Sequence, residues 1–275
     1  MKDFAGKCAV ITGGGNGLGS GMAVALAERG MNVVIADRDD AGADRTAAEV
    51  RKRGVEALTV HVDVADADDV ERLAAAAYER FGSVQLLMNN AAVWQRGALA
   101  ETSSADWRWM SSINLDGPAN GIRAFVPRML RQSGERHVSI TSSTNGLWML
   151  PGQGAYNLIK YALIGMAEAL ERELRDHGIS VSVICPGPMA TEMARLSRPP
   201  SLAGESSASQ LAEVPPELAA MFASWGMQSP EEAGRNAIRG LADGEFYILT
   251  HAQGWPEIEA RFERMREAFR RRAAW

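Results

Sequence analysis

Thr12-Gly13-Gly14-Gly15-Asn16-Gly17-Leu18-Gly19 is the stretch that decides the fold of this chain. An apolar run over residues 7–12 leads into it and reads as a buried strand. A helical run over residues 20–29 leads away and stops at Gly30. A strand, a glycine-rich turn and a helix N-terminus together form a phosphate site. Glycine lets the backbone approach a pyrophosphate, and free N–H groups and the helix dipole face it. The spacing is Gly13-x-x-x-Gly17-x-Gly19 rather than G-x-G-x-x-G. A tight turn needing positive φ would also use these glycines, but the position directly after the first strand favours the phosphate reading.

The same alternation continues outward. Strands are expected at residues 32–37, 57–62, 84–88, 137–141, 180–185 and 246–250. Helices are expected at 41–53, 66–81, 103–129 and 153–177. This order implies an α/β fold: a Rossmann-type doubly wound parallel sheet of about seven strands with helices on both faces. Ligands of such sheets lie at the C-terminal strand ends. Residues 1–275 are read as one domain. Residues 192–226, punctuated by Pro199-Pro200, Gly204 and Pro215-Pro216 yet carrying many apolar residues, suggest a lid over a site. Ser229 and Pro230 open another helix. A closing helix covers 256–274, with Ile258, Phe262, Met265 and Phe269 on one stripe and interspersed Glu and Arg that fit a salt-bridged surface.

Composition removes several functions. Of 275 residues, 46% are hydrophobic and 23% charged, which is ordinary for a globular chain. A net charge of −5 invites no nucleic acid. No apolar run approaches the ~20 residues that span a bilayer, and no signal-peptide core precedes the first strand, so a cytoplasmic protein is expected. Cys8 and Cys185 sit in strand-like runs and read as small buried hydrophobes. The four histidines lack ligand spacing, so no metal site is expected.

A second stretch carries the chemistry. Ser143 follows the fifth strand, and Tyr156 and Lys160 lie four apart on the helix after it, on one face. A phenol is a poor base at neutral pH, and a neighbouring ammonium favours the phenolate. The serine hydroxyl could hold a substrate oxygen beside the phenol. A surface lysine near a half-buried tyrosine is the plainer reading of Tyr-x-x-x-Lys alone. Asp37 ends the second strand at about the ~20-residue distance of a ribose-binding acid. It would accept from a ribose 2′-hydroxyl and repel a 2′-phosphate, so NAD is expected over NADP. Arg38 beside it could hold that phosphate, and Asp37 could instead be a turn residue. Asp63-Val64 ends the third strand and could face adenine or cap the next helix. Asn89-Asn90-Ala91-Ala92 follows the fourth strand as backbone braces or cofactor contacts. Asn114 breaks a helical pattern; it is either a solvated polar residue or a kink whose carbonyl or side chain holds a water.

Together these residues resemble the short-chain dehydrogenase/reductase family over residues 7–191. The resemblance implies cofactor contacts from Thr12, Gly13, Gly15, Asn16, Gly17, Leu18, Gly19, Asp37, Arg38, Asp63, Val64, Asn90, Ala91 and Ala92. It adds Tyr156 and Lys160, and Pro186, Gly187, Met189 and Thr191 around the nicotinamide carboxamide. It implies a catalytic tetrad of Asn114, Ser143, Tyr156 and Lys160, and a homotetramer, with a dimer as the alternative. Ala92 replaces the family's glycine. Met189 and Asn157-Leu158-Ile159 are small departures that remove no reacting group.

Trp94, Trp148, Leu150 and Met193, on loops beyond the strand ends, suggest an apolar substrate wall. Met149, Leu196, Leu211, Met221, Phe222 and Trp225 would extend it, and Ser143, Asn145 and Gln153 would supply polar contacts. The expected substrate is a small molecule, a bulky, largely apolar secondary alcohol or its ketone. An NADPH-dependent ketoreductase of acyl or polyketide type and a catalytically silent NAD-binding protein are the alternatives.

Overall fold

The computed structural model of the chain describes residues 1–197, 199–202, 220 and 223–273. Its seven strands form one parallel sheet in the order β3-β2-β1-β4-β5-β6-β7. They are β1 Cys8–Thr12, β2 Asn32–Asp37, β3 Ala57–His61, β4 Leu86–Asn89, β5 Arg136–Thr141, β6 Ile179–Cys185 and β7 Tyr247–Leu249. β1 pairs with β2 on one side, Val10 opposite Val34, and with β4 on the other, Val10 opposite Leu87. The chain therefore reverses its direction of winding between β1 and β4, and the crevice at their C-terminal ends is where such sheets bind ligands. Every residue of β1 is buried, as the continuous Cys-Ala-Val-Ile-Thr run requires of a strand covered on both faces.

The longer helices among the described residues are α1 Gly17–Ala27, α2 Asp40–Arg51, α3 Ala67–Phe81, α4 Ser104–Ser111, α5 Gly117–Met129, α6 Gly154–Leu174, α7 Pro230–Asp243 and α8 Trp255–Ala273. Local chemistry sets their starts. Asp66 accepts from the Asp68 and Asp69 N–H groups, Ser103 from Asp106 and Ser229 from Glu232, satisfying donors that the first turn leaves over. One core lies under α3, α5 and α6, with Phe125, Leu163 and Val138 buried in it. The other lies under α1, α2 and α7, with Met22, Ile35 and Ile238. In the second, α1 and α7 touch backbone to backbone. A Cβ on Gly21 would stand 1.8 Å from the Pro230 carbonyl oxygen, and one on Gly234 2.2 Å from the carbonyl carbon of Gly21.

The helix expected over 103–129 is divided. A π-helical turn, Ser112–Asp116, separates α4 from α5, and Asn114 sits inside it. The kink reading of that asparagine is the one the backbone adopts. On α8 the stripe is split: Ile258 is buried, while Phe262, Met265 and Phe269 are exposed. Glu263 pairs with Arg266 and Arg270, and Glu267 with Arg271.

Of the expected lid, Leu211, Met221 and Phe222 lie outside the described residues. What precedes them is a helical turn, Met193–Leu196, and a 3-10 turn, Pro200–Leu202. Both are tied down: the Trp94 N–H donates to Ser197 Oγ at 2.8 Å, and the Ser201 N–H to the buried carboxylate of Asp106 at 2.9 Å. No helix among the described residues is long and apolar enough to cross a membrane, and no cluster of metal-binding side chains occurs among them.

Candidate active site

A cleft of about 750 Å³ runs along the C-terminal strand ends. At one end it is lined by Gly13, Asn16, Gly17, Leu18 and Gly19. Gly13 and Gly17 have φ of 63° and 52°, a conformation glycine adopts without strain. A Cβ on Gly19 would lie 2.0 Å from the Gly13 carbonyl oxygen, so the turn can fold onto the helix only without a side chain there. Thr12 and Asn90 hold the turn from behind. Thr12 Oγ1 accepts from the N–H groups of Asn90 and Ala91 at 3.0 and 3.1 Å, and Asn90 Nδ2 donates to the Thr12 and Gly13 carbonyls. Thr12 does not line the cleft. Its hydroxyl ties β1 to the end of β4, so in this structure Thr12 is a brace of the turn.

Asp37 is likewise placed by the turn. Its Oδ2 accepts from the Gly15 N–H at 2.8 Å and its Oδ1 from the Asp39 N–H at 2.9 Å. Gly15 does not line the cleft either. A Cβ there would lie 2.9 Å from Asp37 Oδ2 and 2.8 Å from the Ala43 nitrogen, so Gly15 serves by leaving room for the carboxylate. Arg38 turns toward Asp63, with Nη1 3.8 Å from Oδ2. Asp63 Oδ1 also accepts from the Ala65 N–H. Val62, Val64 and Ala91 continue the cleft wall, and Ala92 follows. A glycine turn with open N–H groups, an acid at the end of β2 and apolar flanks beyond it fit an adenine dinucleotide.

At the other end stand Ser143, Tyr156 and Lys160, with Pro186, Gly187, Met189 and Thr191 also in the wall. β5 delivers Ser143 just past its last residue, and α6 carries Tyr156 and Lys160 one turn apart. Lys160 Nζ lies 5.5 Å from the centre of the Tyr156 ring and donates to the Thr141 carbonyl at 3.1 Å. Burial dominates both groups. It pushes the phenol well above its ordinary value, with the Ser143 hydroxyl opposing, and it pulls the ammonium down to about 8. The expected lowering of the phenol by Lys160 is thus outweighed in the protein's own groups, because removing a charge from water acts on phenolate and ammonium alike. Ser143 Oγ accepts from the Asn145 N–H at 3.1 Å. It also faces the Tyr156 hydroxyl, and has longer contacts with Asn145 Oδ1 and the Pro186 carbonyl, each at 3.5 Å.

Asn114 lies farther back. Its Oδ1 accepts from the Val93 N–H at 2.7 Å and its Nδ2 donates to the Val93 carbonyl at 2.8 Å. The side chain does not line the cleft. Both polar atoms of this side chain clamp the loop after β4, so neither stands free to hold a water.

Trp94, Asn145, Leu150, Gln153 and Met193 line the substrate side. Trp148 does not. Its indole packs with Leu150 and Ile258, and its ring centre is 5.6 Å from that of Trp225, so it seats α8 rather than meeting a ligand. Met149 is exposed and stands outside the cleft. Among the cleft-lining residues that sequence reasoning missed are Trp109, Ile113 and Met227. The first two flank Asn114 in the helical pattern, which was the available signal.

Residues 7–201 match the family described as short chain dehydrogenase, and the chain belongs to that family. It has the fold of that oxidoreductase family, with the glycine turn and the Ser143, Tyr156 and Lys160 cluster both at the C-terminal strand ends. A short-chain dehydrogenase/reductase from Burkholderia phymatum, solved in complex with NAD, superposes with a TM-score of 0.86 at 36% identity, covering 98% of this chain and 97% of that one. The CLA biosynthesis dehydrogenase/reductase of Lactiplantibacillus plantarum is 30% identical over 271 residues, 96% of this chain and 95% of its own. The 2,5-dichloro-2,5-cyclohexadiene-1,4-diol dehydrogenase LinX of Sphingobium indicum is 37% identical over 188 residues, 68% of this chain and 75% of its own.

Proposed function

We propose that this protein interconverts a bulky, largely apolar secondary alcohol and its ketone, with Tyr156 as the proton-transferring group and NAD as cofactor. The observation that carries the reading is the meeting of Tyr156, Lys160 and Ser143 at one end of the cleft whose other end holds the glycine turn and Asp37. Bound nicotinamide supplies the hydride acceptor for oxidation or the donor for reduction. In oxidation Tyr156 Oη takes the carbinol proton. Ser143, which lines the cleft beside Tyr156, donates to the substrate oxygen and steadies the charge that develops on it. Lys160, still largely protonated at pH 7 with its pKa near 8, favours the phenolate electrostatically and opposes the burial that disfavours it. Asn114 acts at one remove, by fixing Val93 and with it the cleft wall.

NAD is favoured because Arg38, the guanidinium that could hold a 2′-phosphate, faces Asp63, while Asp37 presents a carboxylate where that phosphate would sit. LinX, named for a cyclic diol, supports a ring-bearing secondary alcohol, as do Trp94, Trp109, Leu150 and Met193 in the wall. We take residues 1–275 as one dehydrogenase domain, cytoplasmic and homotetrameric. The exposed Leu158 and Tyr161 on α6 support the assembly.

The test is a panel of aryl and cyclic secondary alcohols, sugars and short hydroxy acids, each with NAD and NADP, on wild type and Tyr156→Phe. Ring-bearing alcohols should lead with NAD, and the variant should lose about 10²–10⁴ in turnover while still binding NADH by fluorescence titration. A sugar or hydroxy acid better by tenfold would remove the substrate reading; a variant within tenfold of wild type would remove the mechanism.

A further inference from the structure

Three buried amides beside Ser143 form a chain whose direction is fixed from both ends. Asn157 Nδ2 donates to the Leu150 carbonyl at 2.6 Å. Asn145 Nδ2 donates to Asn157 Oδ1 at 2.8 Å and to Gln153 Oε1 at 3.0 Å. Trp94 Nε1 donates to the same Gln153 Oε1 at 3.0 Å. A backbone carbonyl can only accept and an indole N–H can only donate. The carbonyl forces Asn157 to present its NH₂ group, which in turn orients Asn145. The indole forces Gln153 to present its oxygen to Trp94. Turning over any one amide would place two donors or two acceptors face to face in a buried site and leave those groups unpaired.

This leaves one group over. Gln153 lines the cleft and stands three residues before Tyr156, on the same side of the helix start. Both bonds to its side chain end on Oε1, and its Nε2 is not among the polar atoms sealed in the interior without a partner. The network therefore offers the cleft a donor at this position and no acceptor.

We infer that Gln153 determines specificity by donating, through Nε2, to a second oxygen of the substrate, a carbonyl or ether set apart from the reacting carbinol. The inference rests on the secondary-alcohol reading above and narrows it. The preferred substrate is a cyclic or aryl secondary alcohol with a hydrogen-bond acceptor at its far side, and an all-carbon analogue leaves Nε2 desolvated and unpaired.

The experiment compares kcat/KM for 4-hydroxy-1-tetralone and 1-tetralol, which differ by C=O against CH₂. Wild type should favour the hydroxyketone about tenfold or more. Gln153→Glu keeps an oxygen for Trp94 and Asn145 but replaces the donor by a carboxylate oxygen, so the preference should invert. Gln153→Met removes the group, and the ratio should fall to about one. The readout is a ratio within each variant, so a partial loss of folded protein does not alter it. A wild-type ratio under threefold, or a ratio unchanged in both variants, overturns the inference while the dehydrogenase reading stands. If no alcohol of either type is turned over with NAD or NADP, the dehydrogenase reading falls and the inference with it.

Discussion

Replacing Lys160 by methionine measures what the reactive end of the cleft costs the fold. The side chain is 1% exposed. Its Nζ donates to the Thr141 carbonyl, and no carboxylate pairs with it among the described residues. Burial takes the ammonium from 10.5 to about 8. At about 1.4 kcal/mol for each tenfold change in proton affinity, the native state holds that charge at a cost of about 3 kcal/mol. The sign with pH follows. Below 8 the lysine is protonated in both native and unfolded chains, and the penalty is complete. Between 8 and 10.5 the native lysine has lost its proton while the unfolded one keeps it, so the unfolded state binds more protons and stability rises with pH. Methionine carries no such dependence. The variant loses turnover, yet at pH 7 it should be at least as stable as wild type, because the removed charge penalty offsets the ~1–3 kcal/mol of an orphaned Thr141 carbonyl. By about pH 9.5 wild type should have gained about 2 kcal/mol on the variant. Urea unfolding of both proteins at about pH 7 and about pH 9.5, at one protein concentration, reads this difference directly. The same stability difference at the two pH values would show that Lys160 is not desolvated as its surroundings require.

Asp37→Ser should narrow the preference for NAD by removing the charge that repels a 2′-phosphate, measured as the ratio of kcat/KM with the two cofactors. A wild type already faster with NADP would mean that Arg38 leaves Asp63 and takes the phosphate. Sedimentation at micromolar concentration should give a tetramer; a species of the 29.6 kDa monomer mass alone would refute that assembly.

The sheet is legible in the sequence because its signal is local. Buried parallel strands are short continuous apolar runs, and each of the seven ends within two residues of where its run does. The glycine turn is legible for the same reason, since strand, turn and helix are contiguous. Asn114 announces its π-turn by being a poor helix former in an otherwise helical run. What stays hidden depends on partners far along the chain. Trp148 sits in a loop, where no periodicity says which way an indole turns, and one residue that claims it, Ile258, lies far away near the C-terminus. The pairing of Tyr156 with Lys160 can be read from their spacing, but spacing says nothing of solvent, and it is burial that sets both proton affinities. Thr12 and Gly15 belong to the turn the sequence points to, but their places in it depend on distant residues: one braces the end of β4 and the other makes room for the Asp37 carboxylate. Asn157 reads as a minor departure until the Leu150 carbonyl and Asn145 give it two bonds.

The contact between Gly21 and Pro230 has a consequence for how the chain is made. α1 follows the very first strand, yet the surface it presses on is supplied by residues 230–243, near the far terminus. During synthesis the glycine turn and its helix emerge early and must wait, one apolar face uncovered, until residues 230–243 have left the ribosome. Contacts so distant along the chain form late, and exposed apolar surface in the meantime invites misassembly. The glycine turn and α1 are therefore translated well before the helix that completes their packing. The chain's dependence on chaperones should be greatest in that interval.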